Sequence, residues 1–470
     1  MPKQNLFIIA LILLFFKVNA QTKILTIDEV NDIVLTKSNK VKMINNDFTK
    51  SNIESSFYRI SLLPNIISTL SFPYQRSISE VIQSDGSQRF IERNYINSNL
   101  NLSISQVLPF TGGSISLSSS LNNARDFNNN TSIFSSNWAN ISYQQTINGF
   151  NSYKWNKKLN TLKIKKDSLN YLREKIKLKY DVSKMYLNTQ LLELKSELIK
   201  RNIEKTNAIL FELEEKFKFG RTIKIEVEQT KILLEQLNRQ FEINELNYKL
   251  GKQSLKNMMG EVENTNFSLM PIIQDDFMLE REVLIEIIKK NDFNLEKEIK
   301  LLEVDSNIEK VKKEGAISMN FQIGMGLNSS ANNFTNLYDT PSQSQFVTVG
   351  SKIPILDWGK SNKKYSLAKL EKENLYLSLN DEEIKINEQV DEIINYKLML
   401  VSQKKSLEEQ LYLTKNVVEM FDELLKLGRK TITEYKTQLT EAFNITIEYQ
   451  KTVNDLYLLK LKINEFNLIF

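Results

Sequence analysis

The side chains that could do chemistry in this 470-residue chain are carboxylates, amines and hydroxyls, because the sequence contains neither His nor Cys. The commonest general base and metal ligand is therefore missing. Thiolate nucleophiles, disulfides, zinc–thiolate clusters and a lipidated N-terminal cysteine are missing as well. Chemistry that uses carboxylates alone remains open, but most enzyme classes are disfavoured.

Two acidic residues stand at the same distance from a glycine. Glu226 follows Gly220 by six residues, and Glu434 follows Gly428 by six residues. The residues around the two glycines match as well: Lys218-Phe219-Gly220-Arg221 and Lys426-Leu427-Gly428-Arg429. The match indicates that one element of structure occurs twice in the chain.

The charge of the chain is balanced. The sequence has 62 Lys and Arg against 57 Asp and Glu, a formal net charge of +5, and the basic residues are interleaved with acidic ones. This distribution is not that of a nucleic-acid-binding protein, which clusters its basic residues. The length suffices for one large domain or about three small ones.

Residues 1–20 have the pattern of a secretory signal peptide. Lys3 supplies the positive start, residues 6–16 form an unbroken apolar run, and Val18-Asn19-Ala20 offers a small-residue cleavage site. The apolar run is too short to span a bilayer, which takes about 20 residues. We expect an exported chain that is cleaved after Ala20 and has no span in the inner membrane.

Two nearly uncharged stretches, 94–153 and 315–356, predict β-strands. Apolar residues in them alternate with Ser, Asn, Gln or Gly, which is the pattern of a strand with two different faces. The alternating residues are Ile317, Met319, Phe321, Ile323, Met325 and Leu327, then Val347, Val349, Ile353 and Ile355, and in the first half Leu100, Leu102, Ile104, Ile115, Leu117, Ala139, Ile141 and Tyr143. We predict strands over about 65–148 and over 316–356, with a hairpin loop at 328–344.

Stretches rich in Leu, Glu and Lys predict helices around these strands. The two longest, 153–219 and 361–427, contain no Pro or Gly, would each reach about 100 Å, and stop at Gly220 and Gly428 as helix ends do. Further helices are predicted over 22–61, 221–260, 276–314 and 430–470. A helix of about 100 Å cannot bury its apolar stripe inside a compact domain, so it needs partners along its whole length.

The order helix, strands, very long helix, glycine turn, helix occurs twice. The two glycine turns are 208 residues apart, and Gly149 and Gly359, each just past a strand, are 210 residues apart. We therefore predict a tandem duplication, with a first repeat over 21–270 and a second over 271–470. Two-faced strands in an exported protein suit a lipid-facing barrel with a wet lumen. Together with the helices they predict a pore attached to a long helical tube.

With these features the mature chain resembles the TolC family of outer-membrane efflux proteins over essentially its whole length. The junction Ile353-Pro354-Ile355-Leu356-Asp357-Trp358-Gly359-Lys360 is similar to the family's PLFDGGR-type motif. The paired glycine turns with their acidic residues and the helix–strands–helix repeat are the other two shared features. The resemblance implies an α+β membrane protein: a homotrimer with one shared outer-membrane β-barrel and a periplasmic α-helical barrel.

The resemblance also implies a protein that is not an enzyme, does no covalent chemistry and uses no cofactor or metal. Members of the family are exit ducts of tripartite efflux or type I secretion systems. They would pass drugs, small molecules or proteins from an inner-membrane transporter of the RND, ABC or MFS class, through a periplasmic adaptor, to the outside. The expected partners are therefore two further copies of the chain, the adaptor, the transporter and outer-membrane lipid.

In the family the periplasmic end closes like an iris, and the resemblance places its gate here. Glu434 matches the acidic gate position of the second repeat, Glu226 that of the first, and Lys430 the basic latch. A second acid of the family falls on Thr437, so only one acidic ring carries over. Three Glu434 side chains around a threefold axis would raise one another's pKa and favour cations. Alternatively, Glu434 and Glu226 are ordinary solvated helix residues.

The two glycine turns would be the periplasmic tips that meet the adaptor. Each tip would present an apolar residue, the glycine and an arginine: Phe219, Gly220 and Arg221, then Leu427, Gly428 and Arg429. The alternative is that the glycine ends the helix and the arginine complements the helix dipole. Both can hold together.

The chain departs from the family at two places. The first strand region is longer than the usual hairpin, and residues 108–113 are expected to turn an additional hairpin that either joins the barrel or packs beside it. The strand count is therefore left open beyond the family's usual four per protomer. The first-half junction, residues 146–151, matches the motif only loosely. Phe470 resembles a barrel-end signal but follows a helical stretch, so we expect it to pack against the conduit wall.

Three other classes of protein remain as alternatives. A periplasmic coiled-coil adaptor would explain the long helices and the export signal, but not the alternating strands in both halves. A helical pore-forming toxin would need an apolar hairpin within the helices, which the sequence lacks. An enzyme with paired carboxylates comes last.

Overall fold

The structure, a computed structural model, describes residues 23–260, 267–273 and 276–467. The helices are α1 (Ile27–Lys37), α2 (Asn39–Ile60), α3 (Ser152–Lys218), α4 (Lys224–Met259), α5 (Arg281–Ile288), α6 (Asn294–Glu314), α7 (Lys360–Lys426) and α8 (Ile432–Asn467). The strands are β1 (Lys23–Leu25), β2 (Asn65–Ser71), β3 (Tyr74–Ile82), β4 (Gln88–Leu108), β5 (Gly113–Asp126), β6 (Thr131–Ile147), β7 (Phe267–Leu269), β8 (Ser318–Ala331) and β9 (Ser342–Lys352). The predicted signal peptide and Phe470 lie outside the described residues.

The chain divides into two compact units, each with segments from both halves. The helical unit comprises the chain up to Phe48, Ser168–Phe293 and the chain from Glu383 onward. The strand unit comprises Thr49–Asp167 and Asn294–Glu382. Within the described ranges, no helix combines the length and the apolar composition that crossing a bilayer requires.

The strand unit is built on one antiparallel sheet. Its strands follow the order β2-β4-β5-β6-β8-β9, so that strands of the two halves meet where β6 pairs with β8. β2 and β3 pair with different parts of β4, at Asn99–Ser105 and Gln88–Ile96, because Phe72-Pro73 interrupts the chain between them. The additional hairpin expected at 108–113 is formed by β4 and β5, and it belongs to the same sheet.

The register gives this sheet two chemically different faces. Successive residues of a strand point to opposite faces, and paired residues share a face. One row of paired residues is apolar across five strands: Ile66, Ile104, Leu117, Ile141 and Met325. A row on the opposite face is small and polar: Ser103, Ser118, Asn140, Gly326 and Ser344. The period-2 prediction is confirmed, and all residues of the apolar row except the half-buried Ile104 are exposed in the single chain.

The strand predicted to reach residue 356 is too long. β9 ends at Lys352, and Ile353 and Ile355 lie in an irregular segment before α7. Pro354 has no amide hydrogen to give to a strand ladder, and the following residues cap the helix. The Asp357 carboxylate accepts hydrogen bonds from the backbone N–H groups of Gly359 and Ser361, both at 2.9 Å.

The two halves repeat each other in length and backbone conformation. α3 and α7 each have 67 residues, and α4 and α8 each have 36. At the strand-to-helix junctions, Asn148 (φ 61°) and Trp358 (φ 56°) are both left-handed and stand 210 residues apart. The first junction therefore matches the second in conformation although its sequence matches only loosely.

The prediction of one continuous helix over 22–61 is wrong in two respects: the segment begins with a strand, and the helical part is divided in two. β1 begins the segment and pairs in parallel with β7, and Ser38 separates α1 from α2 in an extended conformation. Three-residue strands carry too few positions to show a period. The helix predicted over 276–314 begins at Arg281 and passes through a π-helical turn, Lys289–Phe293, before α6.

The core of the helical unit forms around β1 and β7. α1, α3 and α4 supply most of its side chains, and Tyr186 is its largest fully buried residue. The Tyr186 hydroxyl lies 2.7 Å from the carbonyl oxygen of Leu25 and 2.9 Å from that of Met270. One buried hydroxyl therefore ties α3 to both of the segments that contain the short strands.

Removal of this hydroxyl should destabilise the helical unit. We expect Tyr186→Phe to lower the free energy of unfolding by about 1–2 kcal/mol, because the two carbonyl oxygens lose a buried donor. Guanidinium unfolding followed by circular dichroism at 222 nm measures it. Tyr412→Phe removes a hydroxyl from an exposed side chain and should change little. Equal effects of the two substitutions would contradict the assignment.

Candidate functional site at the two glycine turns

The two long helices end in the same hydrogen-bonded turn. At the end of α3 the Gly220 N–H donates to Phe217 O at 2.9 Å and the Arg221 N–H donates to Lys216 O at 2.8 Å. At the end of α7 the Gly428 and Arg429 N–H groups donate to the equivalent carbonyls, at 3.0 and 2.9 Å. Both pairs form a Schellman motif, which needs a left-handed residue at the glycine.

Glycine is required at these turns by the backbone and not by a lack of space. Gly220 has φ +69° and Gly428 has φ +68°, and a Cβ at either position would meet nothing within 4 Å. The prediction that each long helix stops at its glycine is confirmed.

The two turns lie side by side. The Lys216 ammonium donates to the carbonyl oxygen of Lys426 at 2.8 Å, which joins the last turn of α3 to that of α7. Lys436 on α8 donates to the Gln236 side chain on α4 at 2.8 Å. A shared apolar cluster lies beneath them: Ile209, Leu213, Val227, Leu233, Val418, Leu425, Ile432, Tyr435 and Leu439.

Glu434 forms a capping box at the start of α8. Its carboxylate accepts hydrogen bonds from the Thr431 backbone N–H at 2.9 Å and the Thr431 hydroxyl at 3.0 Å. In return the Thr431 hydroxyl oxygen accepts from the Glu434 N–H at 3.3 Å. Lys430 donates to the other carboxylate oxygen at 2.7 Å and also lies 5.4 Å from the centre of the Phe421 ring. Of the predicted gate residues, the structure joins these two, Lys430 and Glu434.

These contacts make Glu434 strongly acidic in the single chain. The Lys430 ammonium and the Thr431 N–H and hydroxyl lower its pKa from the ordinary value of 4.5 to about 2. Each of these groups stabilises the charged carboxylate more than the neutral acid. The carboxylate of the single chain is therefore ionised at neutral and mildly acidic pH.

Glu226 has a different environment from its counterpart. The cap residue of α4 is Ile223, whose side chain caps nothing, where the second repeat has Thr431. The neighbouring Thr222 hydroxyl donates to the Glu226 carboxylate at 2.6 Å. The two glutamates thus match in position but not in hydrogen bonding.

The other predicted residues lie at the surface of this region. Thr437 is exposed, and its hydroxyl donates to Thr433 O within α8 at 3.1 Å. Phe219 and Leu427 are 74% and 68% exposed, and Arg221 and Arg429 are also exposed. Each turn therefore presents an apolar side chain beside a cation.

Sequence reasoning missed two residues of this site. Thr431 could have been found, because Thr431-Ile432-Thr433-Glu434 has the T-x-x-E pattern of a capping box. Lys216 had no such signal, because its contact with Lys426 depends on how two distant helix ends pack. In the described part of the chain, no group of three or more acidic side chains is placed to hold a metal ion.

Comparisons with known proteins identify the fold. The chain is similar to the CmeC outer membrane channel of Campylobacter jejuni, with 15% identity and a TM-score of 0.68 over 94% of this chain and 85% of that one. It is also similar to the outer membrane protein VceC of Vibrio cholerae, with 10% identity and a TM-score of 0.67 over 94% and 96% of the two chains. The open state of the Neisseria gonorrhoeae MtrE outer membrane channel matches with 12% identity and a TM-score of 0.61 over 94% and 88%.

No protein-family profile and no curated protein sequence matches this chain. At these identities the solved structures establish the fold, which is that of outer membrane channels. The fold class predicted from the resemblance to the TolC family is confirmed. The roles of the individual tip residues stay predictions.

The capping box gives a local test at this site. We expect Thr431→Val to raise the hydrogen-exchange rate of the first amides of α8 about fivefold, because losing such a cap costs about 1 kcal/mol. Thr433→Val makes the same change two residues on, at an exposed side chain, and should leave these rates unchanged. Unaltered exchange in Thr431→Val would show that the cap does not hold the helix start.

Proposed function

We propose that the protein is the outer-membrane exit duct of a tripartite efflux or type I secretion system. The observation that carries the proposal is the combination of the channel fold with a sheet that exposes one continuous apolar face. Lipid covers such a face, and the opposite face of Ser, Asn and Gln suits a water-filled lumen. The proposal includes location in the outer membrane and assembly as a homotrimer, as the resemblance to the family implies. The proposal assigns the chain no enzymatic activity.

The same geometry argues against the coiled-coil adaptor. A periplasmic adaptor is surrounded by water, and soluble proteins rarely expose an apolar row such as Ile66, Ile141 and Met325 to water. In a barrel the same row lies against acyl chains. The sheet therefore favours the duct over the alternative.

The proposed partners are a periplasmic adaptor and an inner-membrane transporter. The tips offer a surface for the adaptor, because Phe219 and Leu427 expose apolar area while Arg221 and Arg429 add positive charge beside it. Aromatic and arginine side chains are enriched where proteins bind one another. Cargo would be drugs, small molecules or proteins delivered by the transporter.

The proposed gate is formed by the helix starts that follow the glycine turns. By the resemblance to the family, the gate residues at this end of the helices are Glu434, Lys430, Glu226 and Thr437. In the single chain Glu434 already has a partner in Lys430. Opening would therefore move a helix start that is held by its own cap and ion pair.

Single-channel recording in a planar bilayer tests the duct and the gate separately. We expect defined, low-conductance, cation-selective steps from the mature protein, and a changed conductance with weaker cation preference in Glu434→Ala, because a ring of carboxylates is lost. Glu441→Ala removes an exposed carboxylate further along α8 and is the matched control. If the protein forms no channels and stays soluble without detergent, the proposed function as a duct is wrong. Unchanged conductance steps in Glu434→Ala would contradict only the assignment of Glu434 to the gate.

The pH dependence of the same currents tests the ion pair. With its pKa near 2, Glu434 should stay charged, so wild-type cation selectivity should be constant from pH 3.5 to 7. In Lys430→Gln the pKa of Glu434 should rise toward 4.5, and protonation should then lower the cation selectivity as the pH falls through that value. Lys460→Gln, the same charge change far along α8, should behave as wild type.

A wild-type titration step above pH 5 would contradict this expectation. It would mean that glutamates of neighbouring protomers raise one another's pKa more strongly than Lys430 and Thr431 lower it. The Lys430→Gln step would then lie higher still.

A further inference from the structure

We propose that the β4–β5 hairpin is part of the pore wall, so that each protomer gives six strands and three protomers close an eighteen-stranded barrel. This inference rests on the proposed function, since it needs three copies of the chain in a membrane. It departs from the four strands per protomer that the resemblance to the family implies.

The first support is that the hairpin continues both faces of the sheet. On the apolar face, Ile104 of β4 and Leu117 of β5 lie between Ile66 of β2 and Ile141 of β6. A slip by one residue would turn every side chain of a strand to the opposite face. At these positions the hairpin is therefore in register with the strands on both sides. Beyond Ser118 a β-bulge shifts its pairing with β6 by one residue.

The second support is the polar face of the same hairpin. Over Asn99–Ser105 and Ser116–Asn122 it carries eight paired hydroxyl and amide side chains and no charge: Asn99, Asn101, Ser103 and Ser105 on β4, with Ser116, Ser118, Ser120 and Asn122 on β5. The Ser116 hydroxyl lies 2.7 Å from the Ser142 hydroxyl on β6, which joins the hairpin to its neighbour on this face. A hairpin that packed outside the barrel would have no use for a polar face of this kind.

The third support is the direction of the strands at the two edges. Among the described residues, the sheet path ends at β2 on one side and β9 on the other. Because all neighbours are antiparallel and the path has six strands, β2 and β9 run in opposite directions. The β9 of one copy can thus continue the antiparallel ladder with the β2 of the next. Exposed edges of this length call for such a partner.

The number of strands sets the width of the pore. With a strand spacing of about 4.8 Å and a tilt of about 40°, eighteen strands give a backbone diameter of about 36 Å, against about 24 Å for twelve. Barrels of 16–18 strands leave an aqueous channel. Over these eight positions the lining that β4 and β5 add is uncharged and hydrogen-bonding, which suits hydrated polar cargo.

The absence of Cys from the chain allows a direct test by single cysteines. Leu117→Cys and Ser118→Cys place a bimane label on the two faces of β5. Ile323→Cys and Gln322→Cys do the same on β8, which belongs to the wall in either arrangement. The labelled trimers are reconstituted into phosphatidylcholine–phosphatidylglycerol vesicles. Fluorescence is quenched either by doxyl-labelled lipid or by iodide in the water.

We expect β5 to behave as β8 does. The labels at 117 and 323 should be quenched by doxyl lipid, and the labels at 118 and 322 by iodide. If the pair on β8 responds so while both labels on β5 are quenched only by iodide, the hairpin lies outside the wall and the inference is overturned. If doxyl lipid quenches neither the label at 117 nor the label at 323, the proposed function itself fails. Ser103→Cys on β4 replaces Ser118→Cys if that variant does not assemble.

A strand count gives the second, independent measurement. Electron cryo-microscopy of the wild-type protein in lipid nanodiscs should show eighteen strands around the threefold axis. A threefold channel with twelve strands would support the proposed function as a duct and contradict the eighteen-stranded barrel.

Discussion

Backbone pairing within the sheet is the constraint on which the rest of this structure depends. In hydrocarbon an unpaired N–H or C=O group costs several kcal/mol, so strands can cross a bilayer only inside a closed sheet. Among the described residues, one chain provides six strands in an unbroken antiparallel path, and an apolar row crosses five of them on one face. The path is open at β2 and β9, so closure needs other copies. In the proposed duct, trimer formation and membrane insertion would therefore be two aspects of one requirement.

The two glycine turns repeat a backbone geometry with different side-chain chemistry. Both end a 67-residue helix in a Schellman motif, yet only the second is followed by a capping box, between Thr431 and Glu434. At the first turn Ile223 takes the place of Thr431, and the start of α4 has no side-chain cap. The start of α4 is thus held by fewer side-chain hydrogen bonds than the start of α8. A gate built from both would have one firmer and one looser component, and motion is expected first where fewer hydrogen bonds must break.

Sequence patterns predicted the features that depend on local chemistry. The alternation from Met319 to Leu327 gave β8 its faces, and Gly220 and Gly428 gave the helix ends, because periodicity and left-handed backbone leave a direct trace in the residue types. Features that depend on distant packing left none. The pairing of β1 with β7 joins residues more than 240 positions apart, and the contact of Lys216 with Lys426 joins two helix ends. The predicted end of β9 was wrong because the apolar alternation continues past Pro354 to Ile355. Proline has no amide hydrogen, so the hydrogen bonds between the strands do not continue there.

The two halves agree in the lengths of their long helices and differ in their number of strands. α3 and α7, and α4 and α8, agree to the residue in length. Helices that pack side by side must end at the same level, so a change in one would leave its neighbour's apolar stripe uncovered. The number of strands is less strictly constrained than the length of the helices. An antiparallel sheet accepts any even number of added strands, because the chain then leaves the sheet at the end where it entered. The first half holds an extra hairpin, β4 and β5, that satisfies this rule. The width of the pore can therefore differ between such proteins while the helices keep their lengths.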